Sequence, residues 1–253
     1  MDLGLGNRVY LVTGASRGLG FATAQVLVNE GARVVVASRD EAAVTRAAHE
    51  LGSQRAVGFA EDIGRPGAAE RLVAAAVACF GQLDGALISV GGPPPGTVMD
   101  TTEDQWRSAF ETVFLGAMRT ARAVAASLGD GGSIAMVLSS SVRAPIPGLA
   151  ISNGLRPGLA MIAKTLADEL GPRGVRVNGL LPGRIATDRL RELDGLGGGD
   201  PEAARARNSA AIPLRRYGEP AEFGRVAAFL LSPAASYLTG VMMPVDGGAL
   251  RSL

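Results

Sequence analysis

The chain is almost without lysine, cysteine, histidine and tryptophan, with one of each in 253 residues: Lys164, Cys79, His49 and Trp106. Each scarcity excludes something. A single cysteine permits no internal disulfide, which fits a reducing compartment. A single histidine in the polar stretch "AAHELG" is expected on the solvated surface, and with one thiol it leaves no ligand set for zinc. No apolar run approaches the ~18 residues needed to span a bilayer. The opening "MDLGLGNRVYLVTG" has neither a basic n-region nor a cleavage signature. Net charge is +1, so no broad field draws nucleic acid or an anionic membrane. The expectation is a cytoplasmic protein that needs no metal, nucleic acid or membrane. Composition is 47% hydrophobic and 19% charged, and a chain of this length buries roughly three quarters of its unfolded surface.

What is present is a regular alternation. Short Val/Ile/Leu/Ala runs at 8–13, 32–38, 55–60, 85–90, 133–139, 175–180 and 241–245 read as strands covered on both faces, because they are continuous rather than alternating. Helical patterns fall near 18–30, 40–51, 66–80, 103–128, 153–170 and 219–231. Sustained strand–helix alternation predicts an α/β fold: one doubly wound parallel sheet of about seven strands with helices on both faces. No Pro/Ser-rich linker divides the chain, so residues 1–253 read as one domain. The stretch 191–214, rich in glycine and charge, breaks the pattern as a mobile loop or lid would.

The most informative stretch is "YLVTGASRGLGFATAQVLVNEGARVVVASR". A strand runs into Gly14, and Gly18 and Gly20 open a helix. Gly14 allows a sharp turn, Gly18 a close backbone approach to a pyrophosphate, and Gly20 tight helix–strand packing. The helix N-terminus offers unpaired N–H groups to phosphate oxygens. Flanked by strand, helix and second strand, the triplet is a strong dinucleotide signature. At the tip of the second strand, where a carboxylate would favour NAD, stand Ser38 and Arg39, with Arg17 in the glycine loop. Two guanidiniums near one spot suit a 2′-phosphate, so the expected cofactor is NADP, with NAD as runner-up. Asp40, one residue on, complicates that choice.

With these motifs the chain resembles the classical short-chain dehydrogenase/reductase family, and within it the members similar to 3-oxoacyl-carrier-protein reductases. "TGASRGLG" is similar to the family's TGxxxGxG loop, which adds Ser16 and Leu19 to the phosphate cradle. "EDIG" supplies Asp62 and Ile63, which in relatives hold the adenine. "RVNGLLPGRIATD" resembles the RVNxxxPGxxxT segment, so Pro182, Gly183, Ile185 and Thr187 are expected to cover the nicotinamide and its phosphate, with Gly91 kept from the Asn-Asn-Ala-Gly turn. "YLTGVMMPVDGG" resembles the closing strand, often part of a tetramer interface. The resemblance implies a homotetramer or homodimer that acts on a small carbonyl or alcohol substrate.

The catalytic positions depart from the family. Relatives use Asn, Ser, Tyr and Lys: Tyr exchanges the substrate proton, Lys holds the nicotinamide ribose and lowers the Tyr pKa, Ser orients the carbonyl, and Asn holds a relay water. Counting back from "DELGPRGVRVN", the Tyr-x-x-x-Lys motif falls on Ser152 and Arg156, so it is degenerate. The Ser partner falls on Ser139 and is kept, while the Asn falls on Val113. The longer Tyr-to-Lys spacing of enoyl reductases is absent too. The three tyrosines, Tyr10, Tyr217 and Tyr237, lie outside any such motif. The candidate catalytic residues are therefore Ser139, Ser152 and Arg156, and no phenol is in sequence reach.

The mouth is expected to be lined by 91–96, 143–151 and the probable substrate loop 184–214. Arg143 and Arg184 are expected mainly as solvated charges, although either would suit an anionic substrate. "GLGGGD" (195–200) would let the loop close over a ligand. Trp106, Phe110, Val113 and Phe114 form a stripe at helical spacing, expected in helix packing or a subunit interface.

Overall fold

The computed structural model describes residues 2–195 and 200–252. Its seven strands are β1 (Val9–Thr13), β2 (Arg33–Ser38), β3 (Ala56–Ala60), β4 (Gly85–Ile88), β5 (Gly132–Val137), β6 (Val175–Pro182) and β7 (Met242–Val245). They form one sheet in the order β3-β2-β1-β4-β5-β6-β7, and every pair is parallel. The strand order reverses between β1 and β4, which opens a crevice at their carboxyl ends.

The continuous apolar strands divide their side chains between two cores. On β1, Val9 and Leu11 join one cluster with residues of α3 (Ala68–Phe80), α5 (Gly116–Ser127) and α6 (Ala150–Leu170). Tyr10 and Val12 join the other, with α1 (Gly18–Asn29), α2 (Glu41–Leu51) and α9 (Pro220–Leu231). Burial on both faces is why no polar–apolar alternation is visible in these strands.

Three differences from the sequence expectations bear on the site. The runs 85–90 and 133–139 continue apolar, yet β4 stops at Ile88 and β5 at Val137. The backbone then bonds elsewhere: the Ser89 carbonyl accepts the Thr13 hydroxyl at 2.8 Å, and after one last bond from the Leu138 N–H to the Leu180 carbonyl at 2.8 Å, the Ser139 carbonyl accepts the Val142 N–H at 3.1 Å. The helix expected over 103–128 is interrupted: α4 (Glu103–Ala109) passes into a π-helical turn over Phe110–Leu115 before α5. Finally, the stretch expected as a loop contains α7 (Asp188–Gly195) and α8 (Pro201–Ala211). Asp200 caps α8 by accepting the Glu202 N–H, with proline at the first helical position, so a cap and an alanine-rich run outweigh the glycines. Residues 196–199 of the "GLGGGD" hinge lie outside the described residues.

The aromatic stripe packs helix against helix. An added Cβ on Gly154 would stand 2.7 Å from the Trp106 ring, and one on Gly158 2.9 Å from Phe114. Phe110 stacks on Phe114, ring centroids 5.1 Å apart.

Candidate active site

The crevice between β1 and β4 is stitched at its floor. Thr13 Oγ1 donates to the Ser89 carbonyl and accepts the Ser89 N–H at 2.9 Å. Gly14 turns away here at φ +59°, and an added Cβ would lie 2.7 Å from the Ser89 oxygen. An added Cβ on Gly20 would lie 2.5 Å from the Gly14 oxygen. Gly18 differs: its φ is +62°, and an added Cβ would find only the Thr187 methyl, at 3.8 Å. Gly14 and Gly20 are thus small for the fold, whereas Gly18 faces open space between the glycine loop and the Thr187 segment. Arg17, the N-cap of α1, offers no side-chain acceptor to the first turn, and no acidic residue lies there. That leaves the N–H groups and the positive end of the helix free for an anion.

Beyond the tip of β2 lies a cavity of about 340 Å³ lined by Arg39, Ala60, Glu61, Asp62 and Arg65. Among the described residues, the side chains of Arg39 and Arg65 make no hydrogen bond or ion pair. Asp40 is turned the other way, with Oδ1 accepting the Ala43 N–H at 2.8 Å to cap α2. Ser38 donates to the Asp40 carbonyl at 3.2 Å. The carboxylate that complicated the cofactor choice is occupied as a helix cap. Asp62 holds its own turn by accepting the Gly64 N–H at 3.0 Å. Ile63 meets α5, where an added Cβ on Gly116 would stand 2.7 Å from the Ile63 oxygen. Glu61 is held below the usual carboxylate range by its hydrogen bond from Arg71 at 2.7 Å. Arg17 is not part of this cavity. It reaches across the cleft to Asp188 of α7 at 3.5 Å, and both side chains are largely exposed. Arg65 went unnoticed in the sequence because it lies outside the dinucleotide motif.

The far wall brings the catalytic candidates together. Ser139 Oγ accepts the Ser141 N–H at 3.1 Å. The Ser141 and Ser152 hydroxyls stand 3.4 Å apart, and both residues are buried. Ser141, overlooked as one of three consecutive serines, therefore links Ser139 to Ser152. Arg156, one turn along α6, is 5% exposed and donates through Nη1 to the Val137 carbonyl. Its Nε has no partner, and among the described residues no carboxylate pairs with it. Burial lowers its pKa to about 10. Val113 sits in the π-turn, 1% exposed, as part of the core.

The tyrosines are engaged elsewhere or remote from these partners. Tyr10 is buried and donates to the Leu231 carbonyl at 3.2 Å, and desolvation raises its pKa. Tyr217 donates to Asp194 at 2.8 Å. Tyr237 is fully exposed. Arg184, expected as a solvated charge, is tied to Asp194 at 2.8 Å because that carboxylate is enclosed beside it.

Pro182 ends β6 and Gly183 follows it, its N–H donating to the Val245 carbonyl at 3.0 Å. Ile185 is fixed by a bridge to Gly218. Thr187 opens α7, and its hydroxyl accepts the Leu190 N–H at 3.3 Å. Gly91 has nothing within 4 Å of an added Cβ. Among the described residues, no group of three or more His, Cys, Asp or Glu is placed to hold a metal ion. No described helix is long and apolar enough to cross a membrane.

A glycine turn at the strand-order reversal, an uncapped helix N-terminus and a cleft walled by β6 and α6 define a dinucleotide-binding oxidoreductase fold. Comparison with known proteins narrows this. A family model described as Enoyl-(Acyl carrier protein) reductase matches residues 14–249. Human dehydrogenase/reductase SDR family member 4 is 36% identical over 250 residues, covering 96% of this chain and 88% of the relative. An uncharacterized oxidoreductase of Methylorubrum extorquens is 34% identical over 247 residues, covering 96% of this chain and 98% of the relative. The crystal structure of L-sorbose reductase from Gluconobacter frateurii with NADPH and L-sorbose superposes with a TM-score of 0.93 at 30% identity, covering all of both chains. The chain belongs to the short-chain dehydrogenase/reductase family.

Proposed function

We propose that the protein is an NADP(H)-dependent oxidoreductase acting on a carbonyl or alcohol substrate through an atypical active site that lacks the family's Tyr and Lys. The observation that carries this reading is the pairing of a complete phosphate cradle with a hydroxyl-lined wall opposite it. Gly14, Ser16, Gly18, Leu19 and Gly20 would hold the pyrophosphate. Asp62 and Ile63 would hold the adenine, and Arg39 with Arg65 the 2′-phosphate. Gly91, Pro182, Gly183, Ile185 and Thr187 would border the nicotinamide. The bound L-sorbose reductase complex supports NADP(H), since that relative was crystallised with NADPH. The reading also takes residues 1–253 as one domain with 184–214 as its substrate loop, in a cytoplasmic homodimer or homotetramer. Light scattering tests the assembly.

The chemistry follows from the side chains. The nicotinamide, when bound, supplies or accepts the hydride. Ser139 and Ser152 bind the substrate oxygen and orient it. Arg156 places a fixed positive charge beneath them; its guanidinium offers more donors than an ammonium but does not titrate usefully near neutrality. A serine hydroxyl is a far weaker acid than a phenol, so the proton comes from water or from the substrate. General acid catalysis is typically worth ~10²–10⁴ in rate, and that factor is missing. Orientation of the reactants still contributes ~7 kcal/mol or more.

The test is NADPH oxidation against a panel of ketones, with unmodified protein and with Ser152→Tyr/Arg156→Lys. Slow turnover by the unmodified chain, raised ~10²-fold or more in the double variant, is expected. Turnover only in the variant would favour a second reading, a nucleotide-binding homologue without catalysis. That alternative is motivated by Arg156 being drawn to the Val137 carbonyl with Nε unpartnered.

A further inference from the structure

Helix α7 has no fully buried apolar residue, its Leu190 and Leu193 being half-buried, yet it borders the cleft. The helix lacks an anchor in the apolar core, so its place leans on polar contacts. Two lie at the cleft edge: Arg189 donates to the Pro93 carbonyl at 2.8 Å, and Asp188 pairs with Arg17. The third is enclosed. The Asp194 side chain is only 8% exposed. Its Oδ1 accepts from Arg184 Nη1 at 2.8 Å and from Asn208 Nδ2 at 3.0 Å, and its Oδ2 accepts the Tyr217 hydroxyl at 2.8 Å. Two guanidiniums stand over the Tyr217 ring, with the Arg184 and Arg205 carbons 5.8 Å and 5.1 Å from its centroid.

These partners come from four separate segments: the turn after β6, α7, α8 and the link into α9. The backbone joins the same segments. The Gly218 N–H donates to the Arg184 carbonyl at 3.0 Å, and the Ala186 N–H donates to the Gly218 carbonyl at 2.8 Å. Ile185 sits between those two bonds. Arg184 and Tyr217, the residues that Asp194 clamps, thus precede the two ends of the bridge that fixes Ile185. An enclosed carboxylate is costly unless its partners are complete, and removing one member leaves the enclosed Asp194 carboxylate or the buried Tyr217 hydroxyl short of a partner. Such a cluster has one favourable arrangement.

We infer that Asp194 is a positioning residue: it locks the 184–187 segment and α7 into one conformation and so presets Ile185 and Thr187 for the nucleotide, without touching the reacting atoms. The link to the nucleotide rests on the function proposed above; the locking does not.

The experiment compares unmodified protein with Asp194→Ala, Asp194→Asn and Tyr217→Phe. Hydrogen exchange without nucleotide reads the lock, and NADPH fluorescence titration reads the consequence. In Asp194→Ala, amides of 184–195 should exchange at least tenfold faster while those of β1 and β5 stay unchanged, and the NADPH Kd should rise about tenfold or more. Asp194→Asn keeps an acceptor and should recover part of both effects. Tyr217→Phe keeps the ring, loses one bond, and should shift both readouts in the same direction by a smaller factor. It also carries the test if Asp194→Ala does not fold. Unchanged exchange at 184–195 in the folded variants overturns the lock. Faster exchange with an unchanged NADPH Kd overturns its role toward the nucleotide. Failure of the unmodified protein to bind NADPH overturns the proposed function and leaves the exchange result standing.

Discussion

Replacing Arg156 with methionine should make the nucleotide-free protein more stable. The guanidinium is enclosed, and burial brings its pKa from the ordinary arginine range down to about 10. At ~1.4 kcal/mol per tenfold change in proton affinity, this corresponds to about 3 kcal/mol of native-state cost for holding the cation. The hydrogen bond to Val137 returns about 1 kcal/mol, somewhat more because the donor is charged. Methionine follows the same aliphatic path but leaves a small void, costing about 1 kcal/mol. The balance favours the variant by about 1 kcal/mol, which in a chain of this size raises Tm by roughly 2–4 °C. The sign follows from linkage. Arg156 binds its proton less tightly when folded, so the cost is fully present below pH 10 and is relieved only as pH rises through the folded value. Scanning calorimetry between pH 5 and 9 should therefore give a constant gain. A drop of several degrees would mean that the cation is better satisfied than its lone partner implies, and a gain that shrinks toward pH 9 would mean that burial depresses it further still. Added NADPH should stabilise the variant less than the unmodified protein if Arg156 grips the ribose.

Removing both Arg39 and Arg65 should weaken NADPH binding ~10–100-fold, as expected for lost charge-assisted hydrogen bonds, while NADH affinity changes little; an equal loss for both nucleotides in titration would refute a 2′-phosphate role. Gly20→Ala should lower stability by about 2 kcal/mol or more, because the new methyl meets Gly14 backbone; Gly18→Ala should cost only about 1 kcal/mol of backbone strain yet lose nucleotide binding, as denaturant melts and titration would separate. Arg216 holds the Glu222 carboxyl down to about 2; its contribution is complete above the ordinary carboxylate pKa and fades as pH falls toward 2, so Glu222→Gln should flatten the acid limb of a Tm–pH curve.

The parts of this structure that were legible in sequence are the local ones. Strand, glycine turn and helix follow one another within about thirty residues around Gly14, and the fold reverses at that turn. Ser139 was singled out by the family resemblance, which puts a serine at that distance from the Tyr position. The rest depends on distance or on side-chain direction. Asp40 and Arg39 are neighbours, yet one caps α2 and the other faces a cavity, which no spacing rule separates. Asp194 meets Tyr217 across 23 residues, and no local pattern pairs it with Arg184, Asn208 or Tyr217. The helices α7 and α8 were hidden because glycine and charge were read as irregularity, whereas Asp200 and the alanines after it specify a capped helix. The π-turn at Phe110–Leu115 leaves no trace in composition.

Gly154 and Gly158 have a consequence for how this protein could change. With two aromatic rings pressed against its bare backbone, α6 can neither slide nor rotate by a residue, so the side chains at 152 and 156 always emerge in the same directions. Those two addresses are held independently of what occupies them. New chemistry there requires exchange of side chains only, on ground that does not shift beneath them.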